Sequence, residues 1–340
     1  MKPRCMVALS GGVDSAVTVL SLMGEYDVMG MTLKLHPEFD PGPAERLCAS
    51  LGVPFRMMER EKEFMDRVIN PFVDTYKAGK TPNPCITCNR RVKLPFLLEA
   101  AEDAGCDYVA TGHYGKIERT GSRTLLKKAL YPEKDQTYML SVLTQEQLSR
   151  LLLPLGDYTK PQVREIAAEH KLESAKAADS QDICFIPDGD YAGYIRSLTG
   201  ESFPAGDFVD PNGKILGRHT GIVDYTIGQR RGLGLPLGYH AYVVDKNAER
   251  NEVTVGTNDL LFKTRVELCH INLIPFERLD APMRVMAKTR YSQKESPAIL
   301  HQVGEDELLL EFDQPQRAIT PGQTAVFYDG DLVVGSGEII

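Results

Sequence analysis

Short apolar runs alternate with segments of helical period through the first half of the chain. CMVALS (5–10) reads as a buried strand, followed by a glycine turn and a helix in DSAVTVLSLMGEY (14–26). VMGMTLKL (28–35) and PFRMME (54–59) are the next strands, separated by a helix in GPAERLCASLG (42–52). A helix over 62–79 with a kink at Pro71, a helix over 90–105 ending in glycine, and a strand over 107–114 follow. Strands separated by helices of this length imply βαβ units and a parallel sheet covered on both faces. Thr144 with Gln147, and Thr159 with Gln162, have the spacing of capping boxes and predict two more helix starts.

The pattern changes after residue 186. IPDGDYAGYIRSLTGESFPAGDFVDPNGKILG is rich in Gly, Pro and Asp, with short apolar pieces between turns. From 265 onward the chain alternates apolar and polar positions in RVMAKTRY (284–291), PAILHQV (297–303), ELLLEF (307–312) and 324–339, where Asp329-Gly330 marks a tight hairpin. The expected organisation is an α/β parallel-sheet domain over 1–186, a small mixed central domain over 187–264, and a C-terminal β-barrel or sandwich over 265–340.

A chain of 340 residues is too long for one ordinary core, which agrees with two or three domains. No apolar stretch reaches the eighteen or so residues of a membrane helix, and the apolar run near the N-terminus is too short for a signal-peptide core. A cytoplasmic protein with no membrane partner is expected. Seven cysteines are few and odd in number, so buried, catalytic or metal-bound thiols are expected before disulfides. A net charge of −8 argues against coating nucleic acid non-specifically. It leaves selective RNA binding open, through local basic patches at 88–93, 125–130, 228–232 and 287–294.

Two motifs carry chemistry. ALSGGVDS, comprising Ala8, Leu9, Ser10, Gly11, Gly12, Val13, Asp14 and Ser15, is a strand, a glycine turn and a helix start in immediate succession. Glycines let the backbone approach a ligand closely, and the helix N-terminus turns free N–H groups toward an anion. With no Walker lysine, a γ-phosphate grip of that type is not expected. The second motif is TPNPCITCNRR (81–91), whose Cys85 and Cys88 are three apart. One C-x-x-C provides two of the ligands zinc needs, and no second pair exists, although Cys184 could be a third. Pro82 and Pro84 suggest a constrained loop ahead of a helix starting near Arg90. Such a position, with Arg90 and Arg91 near, would lower a thiol pKa.

SGGVDS resembles the loop of the PP-loop ATP pyrophosphatases. With KAGKTPNPCITCNRRVK, DYVATGHY, EKDQTYML, KPQVREIA, DSQDICFI, TIGQRRGLG, YVVDK, KTRYSQ and PGQTAVFY in the same order, the whole chain is similar to the bacterial tRNA-specific 2-thiouridylases. The resemblance implies ATP-dependent insertion of sulfur at C2 of the wobble uridine of tRNA. It makes Cys88 the nucleophile and Cys184 the persulfide carrier, the two forming a transient disulfide. It puts ATP on Ala8 through Ser15, Leu33 and Gly112, with Asp14 placing Mg2+. The target base falls on Asn83, Pro84 and Cys85, and tRNA on His113, Lys134, Asp135, Gln136, Arg290, Tyr291 and Gln323. An upstream persulfide-relay protein and a reductant are implied as partners. The family commonly has Asp where this chain has Cys85, so that residue's role does not transfer unchanged. Cys85, Cys88 and Cys184 would also suit a corner-open iron–sulfur (4Fe-4S) cluster. The competing readings are a PP-loop ligase making a small amide and a non-catalytic tRNA-binding or iron–sulfur protein.

Overall fold

The computed structural model describes residues 1–176 and 183–340. The first four residues of DSQDICFI therefore lie outside the described residues, while Cys184 lies within them.

Strand β1 (Arg4–Ala8) turns into α1 (Val13–Leu22), followed by β2 (Asp27–Lys34), α2 (Gly42–Leu51) and β3 (Phe55–Glu59). Cys5, Met6 and Val7 are each fully buried, which is why β1 is an unbroken apolar run and not an alternating one. Next come α3 (Glu61–Phe64), a π-helical turn over Met65–Ile69, and α4 (Asn70–Lys77). Then α5 (Pro84–Cys88), a second π turn over Asn89–Lys93, and α6 (Leu94–Asp103) form one continuous rod leading to β4 (Tyr108–Ala110). A hairpin of β5 (Lys116–Thr120) and β6 (Arg123–Lys127) precedes α7 (Thr137–Leu140), α8 (Gln145–Arg150), β7 (Leu151–Leu152) and α9 (Lys160–Glu169). The sheet order is β3-β2-β1-β4-β7, every pairing parallel. Both expected capping boxes form, at Thr144 and Thr159.

Each π turn stands just ahead of a proline, Pro71 or Pro95. A proline has no N–H to give and crowds the carbonyl four residues back, so the helix widens. At the second site the carbonyl so released, that of Arg91, accepts from the Arg67 guanidinium at 3.2 Å.

Beyond α10 (Tyr191–Thr199), strands β8 (Gly206–Val209), β9 (Ile215–His219), β10 (Tyr242–Asn247) and β11 (Glu252–Gly256) make a mixed sheet in the order β10-β11-β8-β9. The last six strands are β12 (Phe262–Leu273), β13 (Met283–Lys288), β14 (Ser296–Gly304), β15 (Glu307–Arg317), β16 (Thr324–Asp329) and β17 (Leu332–Ile339). β12 pairs with both β15 and β17, so they close into an antiparallel barrel, which settles barrel against sandwich. Gly330, at φ +60, makes the tight β16–β17 turn expected from Asp329-Gly330.

Two differences from the sequence reading concern short or mixed elements. Only three residues of the expected 107–114 strand pair, because the chain must leave the sheet at Gly112. The β5–β6 hairpin was not foreseen. It joins the barrel's sheet, Lys127 standing opposite Leu332. The parallel-sheet part and the barrel also share a core in which Ile86, Cys88 and Tyr138 lie with Val326, Tyr328 and Val333. Full burial of one such aliphatic or aromatic side chain is worth about 1.5–3 kcal/mol, so this shared layer is a strong weld.

Candidate active site

The loop after β1 and the loop after β4 leave the sheet at its carboxyl edge between neighbouring strands whose connections run to opposite sides. This is the switch point where open α/β sheets bind ligands. Gly11 takes φ +78, and a Cβ there would meet Pro43 at 3.0 Å. Ser15 Oγ donates to Gly12 O at 3.0 Å and accepts from Ser10 N at 3.3 Å, holding the turn closed. Gly12 caps α1 with no side-chain bond, so the amides of the first helical turn face the loop. Gly112 fits against this turn so closely that a Cβ would lie 2.9 Å from Ser15 N. Leu33, near the end of β2, borders the same edge.

Asp14 lies at the start of α1 with its carboxylate already engaged. Lys160 Nζ donates to both oxygens at 2.7 Å, and the Tyr114 hydroxyl donates to Oδ1 at 2.8 Å. The Lys160 side chain is only 8% exposed, so its charge is committed to this pair. A magnesium ion placed on Asp14 would have to compete with Lys160 for the same oxygens.

The thiols occupy the other end of the site. Asn83 caps α5, its side-chain oxygen accepting from Ile86 N at 3.4 Å, and Pro84 takes the first helical position. The helix therefore starts at residue 84, not near Arg90, and Cys88 sits buried one turn inside a continuous rod. This overturns the expected lowering of its pKa. Burial pushes the Cys88 thiol up to about 11, opposed by Lys93 and reinforced by Cys184 and Cys85. Cys85 is raised by burial, again opposed by Lys93. For Cys184 desolvation of the thiol comes first, then Cys85, with Lys93 opposing, although the residue as a whole is exposed. The loop bearing Cys184 is pinned by its neighbour Phe185, whose ring packs edge-on against Phe64 and Phe72 at 5.7 and 5.5 Å.

Lys93 is the cation common to these groups, and the π turn explains how. Five residues along an α-helix would put it about 140° past Cys88 around the axis. The i→i+5 geometry of the π turn stacks residues five apart instead, and the Lys93 backbone N–H reaches the Cys88 sulfur. Lys93 also faces His113, whose pKa is held down to about 3 by burial and then by Lys93. That ring is neutral at neutral pH, with Nδ1 2.8 Å from Thr111 Oγ1. Gly112 packs against the phosphate loop, and the residue after it, His113, is coupled electrostatically to the same Lys93 as the thiols.

The remaining expected residues all make contacts within the fold. Asp135 accepts from Ala129 N at 2.8 Å and Thr137 Oγ1 at 2.6 Å, and Gln136 accepts from Tyr114 N at 3.1 Å. Lys134 ends the short turn before them. Arg290 donates to Ala318 O and Thr320 Oγ1, and the Tyr291 hydroxyl reaches Asp135 O at 3.4 Å. Gln323 Nε2 donates to Thr81 O and Pro82 O at 3.0 and 3.1 Å. A cleft of about 190 Å3 opens here, bordered by Asn83, Pro84, Arg90, Arg91 and His270. Among the described residues no three His, Cys, Asp or Glu side chains gather as a metal-ligating group, so the three thiols as placed do not fit a cluster. Nor is any described helix long and apolar enough to cross a membrane.

Sequence reasoning missed Lys93, Tyr114 and Lys160 as members of the site. Pro95 was the available signal for Lys93, since it forces the π turn. For Lys160 the signal was a lysine at the first position of a capped helix, where a cation is otherwise disfavoured.

A parallel sheet with a glycine loop and helix N-terminus at its switch point defines a PP-loop nucleotide-binding domain. Family models agree: the tRNA methyl transferase HUP domain matches residues 3–188, the tRNA methyl transferase PRC-barrel domain 193–257, and the aminomethyltransferase beta-barrel domain 264–339. Among curated proteins, the tRNA-specific 2-thiouridylase MnmA of Clostridioides difficile is 47% identical, the match covering 100% of this chain and 98% of that protein. Its namesake from Lachnoclostridium phytofermentans is 46% identical, covering 99% of each. A solved U34-tRNA thiolase, NcsA from Methanococcus maripaludis with its 4Fe-4S cluster, is 17% identical at a TM-score of 0.37 over 58% of this chain and 64% of that one. The chain belongs to the tRNA-specific 2-thiouridylase family.

Proposed function

We propose that the protein is an ATP-dependent tRNA sulfurtransferase that converts the wobble uridine to 2-thiouridine. The observation that carries this reading is that one cation, Lys93, acts on Cys88, Cys184 and His113, the residue that follows the Gly112 packed against the phosphate loop. A small-amide ligase has no use for paired thiols at that place.

The C2 carbonyl of uridine is urea-like, a poor electrophile with oxide as its leaving group. Uridine O2 attacks the α-phosphorus of ATP and pyrophosphate leaves, its charge met by the amides at the start of α1. The terminal sulfur of a Cys184 persulfide then attacks C2 and AMP departs with the oxygen. Cys88 attacks the remaining S–S bond, which gives 2-thiouridine and a Cys88–Cys184 disulfide for an external thiol reductant to reopen. The equivalent order, in which Cys88 first frees sulfide from Cys184, uses the same atoms. Lys93 supports whichever sulfur is anionic, and neutral His113 holds position beside it without adding charge.

The base reaches the cleft beside Asn83 and Pro84 only when turned out of its stack. Residues 1–186 carry the chemistry in this reading, with 187–264 and the barrel, 265–340, holding the anticodon arm largely by shape and backbone contacts. A persulfide donor protein supplies the sulfur. The reading is tested by incubating the protein with ATP, magnesium, a sulfur donor and unmodified tRNA, then seeking 2-thiouridine by mass spectrometry. ATP cleavage to AMP and pyrophosphate that is indifferent to tRNA would overturn it.

A further inference from the structure

Residues 81–84 are a poor candidate for holding themselves in place. Pro82 and Pro84 have no N–H, so this stretch has half the backbone donors of an ordinary one. Three residues of one barrel turn, Pro321, Gln323 and Thr324, supply what is missing. Pro321 O accepts from Thr81 N at 2.9 Å, and the Gln323 carboxamide donates to Thr81 O and Pro82 O at 3.0 and 3.1 Å. Thr324 O accepts from the Tyr138 hydroxyl at 2.7 Å, and Tyr138 in turn bonds the Asn83 side chain that caps α5.

Between them, Gly322 leaves no room. It takes φ +86, and a Cβ there would meet Thr81 O at 3.0 Å and Thr75 Cγ2 at 3.2 Å. The turn is itself fixed in the barrel. Gly322 N donates to Ile339 O and Ile339 N to Gln323 O, both at 2.8 Å, while Arg290 ties Thr320 to the carbonyl of Ile227 in the central part of the chain.

We propose that this barrel turn is a positioning brace for α5, so that the seating of the barrel on RNA sets where Asn83, Cys85 and Cys88 stand. Gln323 then acts through the catalytic segment, and its loss slows the chemistry without loosening RNA. The inference extends the sulfurtransferase reading, and its activity arm rests on that reading.

Two variants test it from opposite sides. Gln323→Ala removes the donors, and Gly322→Ala drives a methyl group against Thr81 O, Lys80 Cβ and Thr75 Cγ2 while leaving the Gln323 carboxamide in place. Amide exchange in the free, full-length protein reads the brace directly. Both variants are expected to exchange the amides of residues 81–88 about tenfold faster than wild type while exchange in the β1–α1 region is unchanged. In single-turnover thiolation at saturating tRNA, both are expected to be about ten- to a hundredfold slower, with tRNA Kd within about twofold of wild type. Wild-type exchange in both variants overturns the brace. So does a weakened Kd in Gln323→Ala with an unchanged saturating rate, which is the behaviour of a plain RNA contact. Should the wild-type protein make no 2-thiouridine at all, the functional reading fails, and the exchange measurement still decides the brace.

Discussion

The two ends of the site are built in opposite ways. At the nucleotide end, residues 8–15 form strand, turn and cap within one short segment, and Ser10, Gly12 and Ser15 bond mainly to one another. At the sulfur end Cys85, Cys88 and Lys93 share one rod, but the third thiol comes from residue 184 and the support from the barrel. The first arrangement is set mainly by neighbouring residues, with Gly112, Tyr114 and Lys160 packed onto it from later in the chain. The second holds Cys88 as a protonated, buried thiol until Lys93 and an incoming sulfur make its ionisation worthwhile. In the proposed reaction a buried, protonated Cys88 would not exchange with every disulfide in reach, as an idle thiolate would.

The sharpest test of this contrast is removal of either sulfur. Cys88→Ser and Cys184→Ser are each expected to lower 2-thiouridine formation by at least about a thousandfold while leaving ATP binding within about twofold. Comparable thiolation in either variant, measured by mass spectrometry of digested tRNA, would break the division into two ends.

At the nucleotide end, Lys160→Met is expected to slow tRNA-dependent pyrophosphate release about a hundredfold, because Asp14 is left as an uncompensated negative charge facing the phosphates. A third of the Asp14 side chain is exposed. The stability lost is therefore about 1–3 kcal/mol, below that of breaking a fully buried pair. Denaturant melts of Asp14→Asn, Lys160→Met and the double variant form a cycle in which the double should recover part of the loss. Strict additivity would mean the pair is not coupled.

Within the sulfur end, Lys93→Met is expected to slow alkylation of Cys88 about tenfold at pH 9 and to move its pH profile upward, with Lys93→Arg close to wild type. The wild-type rate should itself keep rising toward about pH 11, where the buried thiol ionises. Peptide mapping after iodoacetamide separates Cys88 from the other cysteines. A profile for Lys93→Met that overlays wild type would remove Lys93 from the electrostatics of the site.

A last test, confined to acid pH, concerns His113. Its folded pKa is held down to about 3, below the ordinary 6.5, so the unfolded chain binds the extra proton between these values. The stability from the neutral ring is fully present above about pH 6.5 and is lost as pH falls toward 3. His113→Gln should flatten this part of the acid-unfolding curve, and an unchanged pH dependence of the melting temperature would contradict it.

Much of this was legible before the structure. The β1–α1 loop could be read because its chemistry is carried by neighbouring residues, and the Thr144 and Thr159 helix starts because a capping box is a three-residue device. The position of Cys88 was misread for a physical reason. Pro82 and Pro84 look like loop residues, yet Pro84 at the first turn of a helix is compatible with helix, and only the packing of Ile86 and Cys88 against the shared core shows which applies. The β5–β6 hairpin escaped notice because its partner lies two hundred residues away.

What the sequence determined by itself was therefore the parallel sheet, the phosphate loop and the capped helices, since local pattern and residue chemistry are enough for each. The tertiary structure alone decided that Lys160 neutralises Asp14 and that a barrel turn holds the segment before Cys88. Those are pairings across more than a hundred residues, or consequences of burial. Short-range propensity does not encode them; the closure of the whole chain around a shared core does.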